Sequence, residues 1–117
     1  MKEIEDIETT IKWSSLLEKL KTTFGDIEDV KDVVFLVGVQ ELGKGYQEFN
    51  KDQKIDVMHI GICHLLSRYG YYNFEGIDKE GWPHWKLVTP LPFLNEKEKE
   101  LLLKKSLIEY FDEKEEP

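Results

Sequence analysis

Trp13, Leu16, Leu17, Leu20 and Phe24 fall at i, i+3, i+4, i+7 and i+11, which is one face of a helix. This spacing predicts a first helix from about Thr10 to Phe24, stopped by Gly25 just past its end. Ile4, Ile7 and Ile11 have compatible spacing and would extend the helix toward the N-terminus. The next apolar stretch, Val30 to Leu42, has poor periodicity. Val33-Val34-Phe35-Leu36-Val37-Gly38-Val39 is apolar on every side and rich in β-branched residues, so a buried strand competes with a helix. Asp29 as an N-cap, and Gln40-Glu41-Leu42 continuing without a turn signal, favour the helix. An element apolar all round is buried on most sides, which makes this the expected central helix. It would pack against the first, third and last.

Asn50 followed by Gln53 forms a capping-box pair and starts a third helix, about Lys51 to Tyr69. Its expected buried stripe is Ile55, Met58, Ile62, Leu65, Leu66 and Tyr69, and Gly70 ends it. Tyr71 to Ile77 and Trp82 to Val88 then flank Asp78-Lys79-Glu80-Gly81, a four-residue loop ending in glycine that suits a β-hairpin. Pro83 has no N–H to give, so the second strand is an edge or pairs irregularly. Thr89-Pro90-Leu91-Pro92 is an extended connector. Asn95 with Glu98 caps a last helix, about Glu96 to Phe111, packing through Leu103, Leu107, Tyr110 and Phe111.

The expected fold is therefore α+β and mostly α: a small four-helix arrangement with one β-hairpin between the third and last helices. That order is compatible with a winged-helix topology. The length, 117 residues and 13.8 kDa, fits a single domain over 1–117 that hides roughly 65% of its unfolded surface. Residues 1–9 and 112–117 are expected to fray.

Composition narrows the function. The net charge is −8, and the imbalance sits in the flanks, with residues 33–94 nearly neutral. A lone Cys63 suits a reducing, cytoplasmic setting. The acidic N-terminus shows no secretory signal. The longest apolar run, Val33 to Val39, is far short of the ~20 residues that cross a bilayer. No membrane association is expected. Nor is nucleic-acid binding, because Asp52 and Asp56 interleave with Lys51, Lys54 and Arg68 on the third helix. On the hairpin Glu75, Asp78 and Glu80 outnumber Lys79 and Lys86, so neither element offers the basic face that duplex binding needs. Arg68 is the single arginine of the chain, which leaves little for bidentate recognition of phosphate.

Six of the 14 aromatic residues, Tyr69, Tyr71, Tyr72, Phe74, Trp82 and Trp85, lie within 17 residues. Strand alternation prevents a hairpin from hiding all of them on one face. Trp85 and Leu87 would share one side, and Tyr72, Phe74, Trp82 and His84 would form an outward row. Tyr and Trp offer large contact area with little rotamer entropy to lose. The expected function is thus a non-catalytic protein–protein interaction or adaptor domain, with Tyr72, Phe74, Trp82, His84 and Trp85 as the partner-binding residues. The competing reading is a small ligand- or metal-binding protein with a pocket near Asp56, His59 and Cys63. Those residues stand at i, i+3 and i+7, with His64 round the helix and Glu41 as a further donor. Neither the paired Cys/His spacing of structural zinc nor a second Glu-x-x-His accompanies them, so no metal or cofactor is assigned. Cys63 with His59 or His64 has no glycine-lined oxyanion loop, so no catalytic residue is assigned either. Gly43-Lys44-Gly45 lacks the full phosphate-loop spacing and turns the chain toward Tyr46 and Phe49. The last helix carries Glu96, Lys97, Glu100, Lys104 and Lys105 outward as a solvated face, while its apolar stripe gives a route to a homodimer.

Overall fold

A computed structural model describes residues 2–45 and 47–115, with the side chains of 2–6 and 115 left out. Tyr46 lies outside the described residues, as do Met1 at one end and Glu116 and Pro117 of the charged tail at the other. The elements run α1 (Lys2–Phe24), α2 (Val30–Leu42), α3 (Lys51–Ser67), β1 (Tyr72–Ile77), β2 (Pro83–Leu87) and α4 (Glu96–Glu115). The fold is α+β: four helices, with a two-stranded antiparallel hairpin between α3 and α4. The chain groups into two compact units, one of residues up to Asp32 together with those from Phe93 on, the other Val33–Pro92.

In the first unit α1 packs on α4. Thr9, Trp13 and Leu20 on α1 and Ser106, Leu107 and Tyr110 on α4 are buried. Lys104 lays its ammonium 5.7 Å from the Trp13 ring centre, covering apolar surface while its charge reaches water. The helix extends back to Lys2, the longer of the two starts that the spacing allows. One expectation is corrected: Phe24 is 56% exposed rather than part of the packed face. Asn95 and Glu98 cap α4 reciprocally at 2.8 and 3.0 Å.

The second unit is built on α2 and α3. The β-branched run of α2 is helical, held at its start by Asp29 Oδ1, which accepts the Asp32 N–H at 3.1 Å. Asp32 Oδ2 in turn accepts from Glu28 and Asp29. Asn50 and Gln53 form the full capping box of α3. The two helices cross through glycines. A Cβ on Gly38 would stand 2.0 Å from the Val57 carbonyl oxygen, and one on Gly61 would stand 2.4 Å from the Val34 carbonyl oxygen. Only glycine permits backbones to meet this closely. This contact sets the buried face of α3 at Val57, Ile60, Gly61, Cys63, Leu65 and Leu66. The stripe expected from spacing was rotated: Ile55 is 60% exposed and Tyr69 also faces solvent.

Candidate partner-binding surface

The hairpin loop is organised by one carboxylate. Asp78 Oδ1 accepts the N–H groups of Glu80 and Trp82, both at 2.9 Å. The Asp78 N–H donates to the Trp82 carbonyl at 2.9 Å, and Gly81 donates to the Asp78 carbonyl at 3.0 Å. Gly81 takes a φ of 85°, the left-handed geometry that the last loop position requires. The second oxygen, Oδ2, accepts from His84 Nε2 at 2.7 Å. The His84 bond foremost, and the Trp82 N–H after it, hold the Asp78 carboxyl below its usual range.

Register decides which rings share a face. Tyr72 pairs with Leu87 and Phe74 with Trp85, and cross-strand partners project to the same side. Between Phe74 and Gly76 a bulge shifts the register, so that Gly76 lies opposite His84. The extra residue reverses the alternation beyond it. The expected outward row of Tyr72, Phe74, Trp82 and His84 is therefore corrected: Tyr72 and Phe74 belong with Trp85 and Leu87, and His84 points the other way.

The Tyr72–Trp85 face lies over α3. Tyr72 meets the His59 ring edge-on at 6.3 Å, Trp85 meets His64 at 5.9 Å, and Phe74 meets Trp85 at 5.3 Å. Trp82 packs against the cluster of Leu42, Val57 and Ile60, with Phe49 at 6.5 Å. Lys44, between the positive-φ glycines 43 and 45, donates to the Glu80 carbonyl and sits 5.8 Å from the Trp82 ring centre. None of the six clustered rings is fully buried. Tyr71, Tyr72, Trp82 and Trp85 are half-buried, while Phe74 at 53% and Tyr69 face solvent, joined by Leu87 at 47% and Val88.

An open groove of about 490 Å³ separates the first turns of α3 from the loop end of the hairpin. Ile60 and Trp82 contribute apolar surface, and Asp56, His59, Glu80 and His84 its polar lining. The carboxylates of Asp56 and Glu80 have no ion-pair or hydrogen-bond partner among the described residues.

The three residues weighed as ligands do not converge as one set among the described residues. Asp56 and His59 line the groove, while Cys63 is buried. Cys63 Sγ lies 3.4 Å from His59 Nε2, and burial pushes its thiol up to about 11, far from the thiolate a metal or an electrophile needs. Glu41 turns instead to His64, Oε1 to Nδ1 at 3.4 Å. Among the described residues no three His, Cys, Asp or Glu side chains converge as a metal site would require. No described helix is long and apolar enough to cross a membrane. Sequence reasoning missed the Asp78–His84 pair, the bulge and the groove; the Asp-x-x-Gly loop was the available signal for the first. No family model, curated protein or solved structure matches this chain.

Proposed function

We propose that this chain is a non-catalytic partner-binding domain that docks a protein segment on the hairpin and in the groove beside it. One observation carries the reading: six aromatic rings cluster within 17 residues, and all of them keep exposed surface. Large rings that are half-buried are already oriented by packing, so little rotamer entropy remains to be lost on contact. Phe74 and Leu87, near half exposed on one face, are the apolar anchors. Tyr72 and Trp85 stiffen that face, and Trp82 and His84 border the groove.

The partner segment this surface suits is basic with an apolar side chain beside the charge. Asp56, Asp78 and Glu80 give the groove a negative field, in a chain of net charge −8, which favours and steers a cationic ligand. A ligand-handling reading has weaker support, because the groove is open and its buried neighbour Cys63 stays protonated at neutral pH. A reducing cytoplasm is the compartment we assign, where a single free thiol persists unpaired.

Panning a random linear peptide display library against the full chain tests the reading. The expected winners carry Lys or Arg next to an aromatic or aliphatic residue. Their affinity falls about fivefold to thirtyfold in Phe74→Ser and Leu87→Ser, as loss of about 1–2 kcal/mol at an interface anchor implies. Winners without basic residues, or binding indifferent to both substitutions, would overturn it.

A further inference from the structure

Two of the chain's three histidines line the groove beside the hairpin, His59 from α3 and His84 from β2. Asp56, Asp78 and Glu80 complete its charged lining, so the net charge is −3 with both rings neutral and −1 with both protonated. Histidine is the side chain whose charge changes between pH 5 and 8, whereas carboxylates titrate about two units lower. Mild acid therefore removes most of the groove's negative charge while its carboxylates stay ionised.

The groups that face each ring leave this exchange open. His84 is 60% exposed, and its Nε2 meets Asp78 Oδ2 at 2.7 Å. Its partner across the ladder, Gly76, brings no charge. A proton on His84 strengthens the bond to Asp78, so the loop keeps its shape while the groove loses field. His59 is exposed as well, with Asp56 one turn before it on α3. Its Nε2 lies 3.4 Å from the Cys63 sulfur and its ring meets the edge of Tyr72. Burial raises both the thiol and the phenol, so neither carries charge in this window. Lys44 adds a cation at the rim, on the Glu80 carbonyl and beside the Trp82 ring. Among the described residues the Asp56 and Glu80 carboxylates have no partner to compensate them. His64 turns to Glu41 and Trp85 instead and does not line the groove.

We propose that the groove is a pH-gated cation site, which holds a lysine- or arginine-bearing segment at neutral pH and releases it as the pH falls toward 5.5. The proposal rests on the docking reading above and adds its control. A partner's cation about 7 Å from each imidazole meets two new charges of its own sign. Through water at low ionic strength, these weaken binding roughly fivefold to tenfold. An acidic segment would show the opposite trend and a neutral one none, so the direction identifies the occupant.

Peptides selected from the display library at pH 7.5 are titrated against the full chain by fluorescence anisotropy at pH 7.5, 6.5 and 5.5. Ionic strength is held low and constant, and circular dichroism confirms that the fold persists. Kd of a Lys- or Arg-bearing winner is expected to rise roughly fivefold to tenfold across the range. His84→Gln keeps a donor for Asp78 and removes part of the rise. Adding His59→Gln removes nearly all of it, whereas His64→Gln retains it in full. Replacing the peptide's own Lys and Arg by Gln also flattens the profile, without touching the fold. A selection that yields no peptide overturns this proposal together with the docking reading. A basic peptide held equally at pH 7.5 and 5.5, or a rise that persists in the double variant, overturns the gate alone and leaves that reading standing.

Discussion

Replacing Gly38 by alanine asks whether α2 and α3 truly meet backbone to backbone. In an isolated helix the change helps by about 1 kcal/mol, because glycine loses more backbone entropy than alanine. Here the new Cβ would stand 2.0 Å from the Val57 carbonyl oxygen and 2.8 Å from both its carbonyl carbon and its Cγ1. Ordinary carbon–oxygen contact is about 3.3 Å, so the helices must part by roughly 1.3 Å. A radial gap of that size forfeits more than about half of the dispersion well at contacts across the crossing, and Val33, Val34, Val37 and Val57 are essentially sealed from water. Overpacking costs about 1–3 kcal/mol or somewhat more. At this overlap the upper end applies, and subtracting the propensity gain leaves a net loss of about 2 kcal/mol. For a chain of this length that lowers Tm by roughly 8 °C, read by circular dichroism or by urea unfolding. Gly61→Ala, 2.4 Å from the Val34 carbonyl oxygen, acts in the same direction. Because both substitutions demand the same separation, the double variant loses less than the sum. A Gly38→Ala variant as stable as wild type, or more so, would refute the close crossing.

Three further outcomes follow from the local geometry. Asp78→Ala removes the acceptor for Glu80, Trp82 and His84 and lowers the urea midpoint at pH 7. Because the folded carboxyl is held below its ordinary 3.8, this contribution is present in full above that value. It fades as pH falls through the lowered one, so the gap between variant and wild type narrows only in acid, and a gap that narrows between pH 8 and 5 would contradict the assignment. Cys63 is sealed from solvent, with a thiol raised to about 11. A disulfide-exchange reagent at pH 8 should therefore label the native chain at least a hundredfold more slowly than the urea-unfolded one, roughly following the ~2-unit rise in pKa alone. Asn50→Ala deletes the acceptor of the Gln53 N–H at 2.8 Å and costs about 1 kcal/mol by urea unfolding, whereas Asn50→Asp stays near wild type.

The elements were legible where local chemistry decides them. Asp29, Asn50 and Asn95 each sit three residues before a side chain able to return the hydrogen bond, and each starts a helix where the pattern placed it. The Asp29 cap outweighed the β-branched run of Val33–Val39, since strand propensity mostly expresses packing context. The hairpin followed from Asp78 and Gly81. What escaped was set by partners distant in sequence. The buried face of α3 depends on where Gly38 meets it, and Ile55 looked like core only because hydrophobicity does not record direction. Two glycines inside apolar helical segments were the visible trace of that crossing. The aromatic face was misassigned because one bulged residue, at Glu75, inverts the alternation; the neighbouring Gly76, at a φ of 113°, was the mark of that break inside the strand. Glu41 went to His64 rather than His59 through the angular setting of α2 against α3.

The claim that the exposed rings of the hairpin await a partner is tested most directly by nitrogen-15 NMR. The labelled full chain is titrated with the tightest basic, apolar-anchored peptide from the display selection. Shift changes are expected to concentrate in Asn73–Ile77, Trp82–Val88 and the first turns of α3, all abolished together by Phe74→Ser with Leu87→Ser while the rest of the spectrum stays native. Shifts confined to α1 and α4, or a complex that survives the double substitution unchanged, would contradict it.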